Sequence, residues 1–149
     1  MYDAFLNLFS ANEYKIKHGN KGFVQKEWID FTERELGFPL PESYKWWVRE
    51  FEYFKVHYEY IKTIAPPEFR DEADSDILYS YKRDVENGLP ENELTILEAD
   101  DGDYLYYFLV ESGIKDNEYR VCCRDYVSED NDFYADNFLK FLEMKIHEM

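Results

Sequence analysis

Three groups of side chains in this sequence could do chemistry. The first is ADDGD, residues 99–103, in which Asp100, Asp101 and Asp103 surround Gly102 between two apolar runs. Carboxylates at that density can hold a cation, or work as an acid and a base. The second is the adjacent pair Cys122 and Cys123, and the third is the set His18, His57 and His147. A calcium loop alternates oxygen ligands over about twelve residues, with a glycine at the sixth position and a glutamate at the end. ADDGDYLYYFLVE lacks that alternation and turns apolar after Tyr104. Zinc needs clustered His and Cys, and the three histidines stand far apart without a Cys or His at ligand spacing. Neither a metal nor a cofactor is expected.

Acid–base catalysis by paired carboxylates is not singled out either. The chain has 33 Asp and Glu, so any chosen pair is uninformative. No GxSxG elbow, P-loop or GxGxxG is present. Neighbouring residues on a strand point to opposite faces, so Cys122 and Cys123 read as small buried residues rather than a disulfide or a redox pair. Cys122 could meet His57 or His147 in space, but nothing local builds a dyad. The expectation is a protein without catalytic residues.

What remains for ADDGD is a turn. Asp-Gly between apolar runs is a strong signal for a two-residue hairpin, with Asp101 and Gly102 supplying the positive φ values and Asp100 and Asp103 solvated at its rim. The flanking segments read as strands over 94–99 and 103–110. The second has Tyr104, Tyr106, Phe108 and Val110 on one face and Leu105, Tyr107 and Leu109 on the other, so both faces are expected to be covered. A further strand covers 119–124.

The other elements follow from periodicity and breakers. Residues 2–13 form a first helix and KIKHGNKGF, 15–23, a loop. A second helix covers 25–36, with Gly37 as its stop. A third starts near Pro41 and buries Tyr44, Trp47, Val48 and Phe51 on one face, with Trp46 to the side. The alternation in YFKVHYEYIKTI, 53–64, favours a strand over a continued helix. Residues 75–87 form a helix with Ser75 as N-cap. SEDND, 128–132, reads as a solvated loop with Asp132 capping a last helix over 133–147. Strands joined by such short connections must pair antiparallel. The expected fold is α+β, one domain over 1–149: a mainly antiparallel sheet flanked by N-terminal helices, one mid-chain helix and a C-terminal helix.

Charge restricts the partner. The formal net charge is −16, of which residues 1–64 carry −1 and residues 65–149 carry −15. Nucleic acids and anionic membranes require basic surfaces, so neither is expected. A basic protein partner suits such a field. No apolar run approaches the roughly 20 residues that cross a bilayer. MYDAFLNLFSANEYK has no secretory pattern, and with two cysteines unfit to pair, a reducing cytoplasm is the expected compartment.

The motifs ELGFPLPESYKWWV (35–48), TILEADDGDYLYYFL (95–109) and ADNFLKFLEMKI (135–146) resemble the SUKH superfamily, and within it the YobK-like bacterial immunity proteins. Glu33, Leu36, Gly37, Leu40, Pro41 and Tyr44 match the family's E-x-x-L-G-x-x-L-P-x-x-Y entry into a helix. Gly102 and Asp103 match its acidic turn, and Phe138 and Phe141 its last helix. The family often has a glycine-containing loop after the Tyr-bearing helix. Here the chain reads straight through REFEYFKVHYEY. The resemblance implies a non-catalytic protein that binds and neutralises a cognate toxin domain, often a nuclease; fungal members are scaffolds or signalling modules. An inhibitor of a nucleic-acid enzyme must fill a cationic cleft, for which acids supply steering and aromatics the anchors. The expected partner-binding surface is Asp100, Asp101 and Asp103 with Tyr104, Tyr106 and Tyr126, and with Glu129, Asp130 and Asp132.

Overall fold

The computed structural model describes residues 2–149. In chain order it contains helix α1 (Asp3–Asn12), strand β1 (Lys17–His18), helices α2 (Lys26–Leu36) and α3 (Glu42–Phe51), strands β2 (Phe54–Val56) and β3 (Glu59–Tyr60), and helix α4 (Ile77–Glu86). Strands β4 (Glu93–Glu98), β5 (Tyr104–Leu109), β6 (Arg120–Asp125) and β7 (Asp130–Ala135) follow, and helix α5 (Phe138–His147) ends the fold. All pairings between these strands are antiparallel. β1-β2-β3 form a small sheet, and β4-β5-β6-β7 a meander in which β7 is an outermost strand. The Lys62 N–H donates to Ile96 O at 2.7 Å and ties the two sheets together. The class is α+β, as the alternation of periodicities predicts.

The turn from α2 into α3 shows why its residues recur as a motif. Gly37 ends α2 at φ 82°, a left-handed value that a Cβ disfavours, and its N–H donates to Glu33 O. The Glu33 carboxylate then accepts from Leu40 N–H at 2.7 Å, which lets Leu40 bury completely. Pro41 is the N-cap residue of α3 and has no side-chain donor or acceptor to offer. Glu118, from the connection between β5 and β6, fills that role: Ser43 N–H donates to its Oε1 at 2.9 Å and Ser43 Oγ to its Oε2 at 2.7 Å. Beside it, the Tyr119 hydroxyl donates to Pro39 O at 2.6 Å. One residue further along α3, the buried Tyr44 hydroxyl donates to Lys62 O at 2.8 Å.

The core is aromatic. Phe138 of α5 has ring centroids of Tyr44, Trp47 and Phe108 at 5.2, 5.3 and 5.7 Å, and Phe54 stands 5.6 Å from Trp47. A second cluster, Phe5, Phe9 and Phe51, closes α1 over β2. Edge-to-face and offset pairs of this kind add to the area they bury. Trp46 stays half-buried, stacked on Tyr2 at 4.0 Å.

Four expectations need correction. The strand over 53–64 is a tight hairpin, β2 and β3, broken at His57, whose φ is 54°. The 15–23 loop contains β1, which pairs with β2. α4 is capped by Asp76, not Ser75: the Asp76 carboxylate accepts from Tyr79 N–H at 2.9 Å and from Ala65 N–H at 2.8 Å, so it serves two chain segments at once. The acidic run ahead of the last helix is a loop only at Ser128 and Glu129, which lie in a turn. Asp130, Asn131 and Asp132 lie in β7, paired with β6, and α5 begins only at Phe138. Its cap is Asn137, which accepts from Lys140 N–H; Asp132 caps nothing there.

Candidate functional site

The ADDGD turn is a hairpin, but with a four-residue loop. Ala99 N–H donates to Tyr104 O at 3.0 Å, and Gly102 N–H to Ala99 O at 3.0 Å. Only Gly102 has a positive φ, 77°; Asp101 does not share it. Asp101 instead accepts Asp103 N–H on Oδ1 at 3.0 Å, the local bond that short carboxylates make in turns.

The β6–β7 turn folds against the first. Asp125 Oδ1 accepts from Val127 N–H at 2.9 Å and from Ser128 N–H at 3.1 Å. Glu129 takes a φ of 65° to start the return strand. Because Tyr104 pairs with Asp125 in the β5–β6 register, the two turns lie side by side, and Tyr126 N–H donates to Asp103 O at 2.8 Å. One end of the meander therefore presents Asp100, Asp101, Asp103, Asp125, Glu129 and Asp130, with Tyr126 half exposed and Val127 72% exposed among them.

The carboxylates feel one another. The neighbouring Asp101 charge, with Asp125 adding to it, holds the Asp103 carboxyl above the usual aspartate range. Asp125 is held below it by the Ser128 and Val127 N–H groups. Two acids at one end are thus moved in opposite directions, one by repulsion and the other by donated hydrogen bonds.

The expected surface is brought together only in part. Asp100, Asp101, Asp103, Tyr126, Glu129 and Asp130 share this end. Asp132 lies further along β7, opposite Cys123, and is exposed. Tyr104 is half-buried, and its hydroxyl donates to Glu59 Oε1 at 2.7 Å. Tyr106 is only 8% exposed: it packs on Phe141 and Tyr134, and the buried Lys145 ammonium donates to its hydroxyl at 2.7 Å. It is a core residue in this fold. Asp125 and Val127 complete the end; register alone exposes them, and no motif marks them.

Lys145 is buried but has partners on two sides. It stands 4.0 Å over the Tyr106 ring and 3.0 Å from Glu148 Oε2. Burial disfavours the Glu148 carboxylate, but the hydrogen bonds from Tyr134 and Lys145 outweigh it and hold Glu148 below the usual glutamate range. On β6, Cys122 faces with Tyr107 and Cys123 with Tyr106, on opposite sides of the sheet. Burial pushes both thiols up, which makes them poorer nucleophiles. Among the described residues, no three His, Cys, Asp or Glu converge on a point where an ion could sit.

A family model described as SMI1-KNR4 cell-wall, of the SUKH type, matches residues 26–142. The chain belongs to the SUKH family. The match runs from the start of α2 into α5, so it includes the whole Glu33-to-Tyr44 turn and both hairpin tips. α1, which closes the second aromatic cluster, precedes it. SUKH domains are associated with immunity proteins and with SMI1-KNR4 proteins, and are generally not catalytic. None of the curated proteins matches the chain. Among the described residues, no helix is long and apolar enough to cross a membrane.

Proposed function

We propose that this SUKH protein is an immunity protein of the YobK-like kind, which binds a cognate toxin domain in the cytoplasm and blocks it without catalysis. The observation that carries the reading is the pair of hairpin tips: Asp100, Asp101, Asp103, Asp125, Glu129 and Asp130 side by side, with Tyr126 and Val127 exposed between them. A toxin that acts on nucleic acid has a cationic cleft, and an acidic end with an aromatic residue in its middle suits such a cleft. The acids speed encounter and reject like-charged partners. The tyrosine supplies the contact that becomes dry on docking.

Co-expression with the toxin encoded beside its gene tests this. Growth should be rescued and a stable complex isolated, with association slowing as salt rises. Changing Asp100, Asp101, Asp103 and Asp130 together to asparagine should lower the association rate by about tenfold or more at low salt, with little change in the dissociation rate. Rescue by an unrelated acidic protein, or absence of a complex, would refute the reading. The family's cell-wall description favours a second reading, a scaffold that binds an endogenous protein; a neighbouring gene that encodes no toxin would support it.

A further inference from the structure

The chain between α3 and α4 encloses an open groove of about 410 Å³. Its walls come from Phe23 ahead of α2, Tyr53, Tyr60 of β3, Ile64, Pro66 and Phe69. Phe23 is 40% exposed, Tyr60 42% and Phe69 50%. Single exposed apolar residues are ordinary, but three large rings around one depression form the kind of patch that marks a contact surface.

Glu52 lines one end of this groove, and its backbone is strained. It has φ 66° and ψ −59°, and Tyr53 N–H donates to Phe51 O at 2.7 Å across it. That is a γ-turn of positive φ, rare for any residue with a side chain. Several contacts impose it. Glu52 N–H still bonds Val48 O at 3.0 Å, the Thr63 hydroxyl donates to Glu52 O, and Asn20 N–H donates to Glu52 Oε1 at 3.1 Å. Gly19 packs so closely that a Cβ there would fall 2.6 Å from Oε1. Strain held in this way is concentrated at binding sites. Its result here is a carboxylate fixed at the groove, with no ion-pair partner among the described residues and Oε2 left open. The wall segment from Phe69 to Ala73 adds exposed Asp71 and Glu72. Three cations stand near the groove, none of them paired with Glu52: Lys17 and Lys55 over the Tyr60 ring, and Arg70 3.8 Å over Phe31; a cation on an aromatic face keeps its charge.

We infer that this groove is a docking site for a segment of a partner protein that brings an aromatic or aliphatic side chain with a lysine or arginine beside it. The apolar side chain fills the space between Phe23, Tyr60 and Phe69, and the cation meets Glu52. The inference rests on the protein-binding reading above and extends it. The Tyr104–Glu59 hydrogen bond joins the acidic tips to β3, whose next residue, Tyr60, lines the groove. The tips then steer a basic partner, and the groove anchors it.

The test uses the full chain, labelled with ¹⁵N, and two capped hexapeptides, Gly-Lys-Phe-Leu-Lys-Gly and Gly-Glu-Phe-Leu-Glu-Gly. The lysine peptide should shift the amides of Tyr53, Thr63 and Phe69 saturably, and the glutamate peptide should not. Phe69→Ala and Glu52→Gln should each weaken binding by about tenfold. Phe69 is half exposed and glutamine keeps the acceptor for Asn20, so both variants should fold. If Glu52→Gln unfolds, Phe69→Ala decides alone. Equal binding of the two peptides, shifts confined to other surfaces, or no saturable shift at millimolar peptide overturns the inference. So does a concentration-dependent dimer in sedimentation that Phe69→Ala abolishes, because a second copy would then own the groove. Peptide binding with failed growth rescue removes the immunity reading and leaves the groove standing; rescue with no peptide binding removes the groove alone.

Discussion

Replacing Glu118 should destabilise a helix from which it is 75 residues distant in sequence. Its carboxylate accepts two hydrogen bonds from Ser43, one from the backbone and one from the hydroxyl, and Ser43 is 1% exposed. The proline at the N-cap of α3 cannot replace it. Hydrogen bonds to a charged acceptor contribute about 1.5–3 kcal/mol each when one partner is removed, and loss of a cap costs about 0.5–2 kcal/mol. The two bonds share one carboxylate, so Glu118→Ala should cost about 2–3 kcal/mol. For a chain of this size that lowers Tm by roughly 4–12 °C. Glu118→Gln keeps one acceptor and loses the negative charge at the positive end of the helix, so it should cost about 1–2 kcal/mol. Urea denaturation of the wild type and both variants measures this. A loss below about 0.5 kcal/mol for alanine, or a glutamine variant as unstable as the alanine one, would refute the idea that this carboxylate completes α3.

Two glycines should fail for different reasons. Gly102→Ala has open space but φ 77°, so it should lose about 1–2 kcal/mol, and Gly102→Asn should recover part of that. Gly19→Ala has no left-handed backbone to blame but collides with Glu52, so it should cost about 1–3 kcal/mol, and asparagine there should be worse; a reversed pattern in thermal denaturation counts against this account. Asp101→Asn should lower the Asp103 pKa, because the repelling charge is gone. Asp103 holds its proton more tightly in the folded chain than when unfolded, so this group makes the folded state more stable as pH falls through that interval and less stable as pH rises through it. Titration of the Asp103 carboxyl carbon by NMR reads the change directly, and an unmoved or raised pKa would sink the explanation.

The helices are legible in the sequence because each buries one face and shows the 3.6-residue period: α3 exposes its Tyr44, Trp47, Val48 and Phe51 pattern to any reader. The buried strands β4 and β5 are equally plain, since burial requires apolar residues in them. β7 is not, because Asp130, Asn131 and Asp132 have little preference for a strand. They are extended because β6 offers a partner, and pairing decides where propensity does not. Asp76 and Ser75 are both good caps, and what selects Asp76 is its second bond, to Ala65, which only the fold supplies. The same limit applies to the candidate site. Tyr106 and Tyr126 are the same residue type in neighbouring strands or turns, yet one is locked under Lys145 and the other is exposed, and which face is core depends on where α5 lies. That the tips at 100–103 and 126–130 touch follows from the β5–β6 register, which no local pattern specifies.

The acids of β7 have a consequence apart from any partner. A meander that ends in an unpaired strand leaves a row of backbone donors and acceptors to which another copy could add itself. Asp130 and Asp132 place negative charge along that border, and a second chain approaching in register would bring the same charges against them. The same negative charge therefore opposes the addition of a second copy to the sheet edge, a role that asks nothing of a partner.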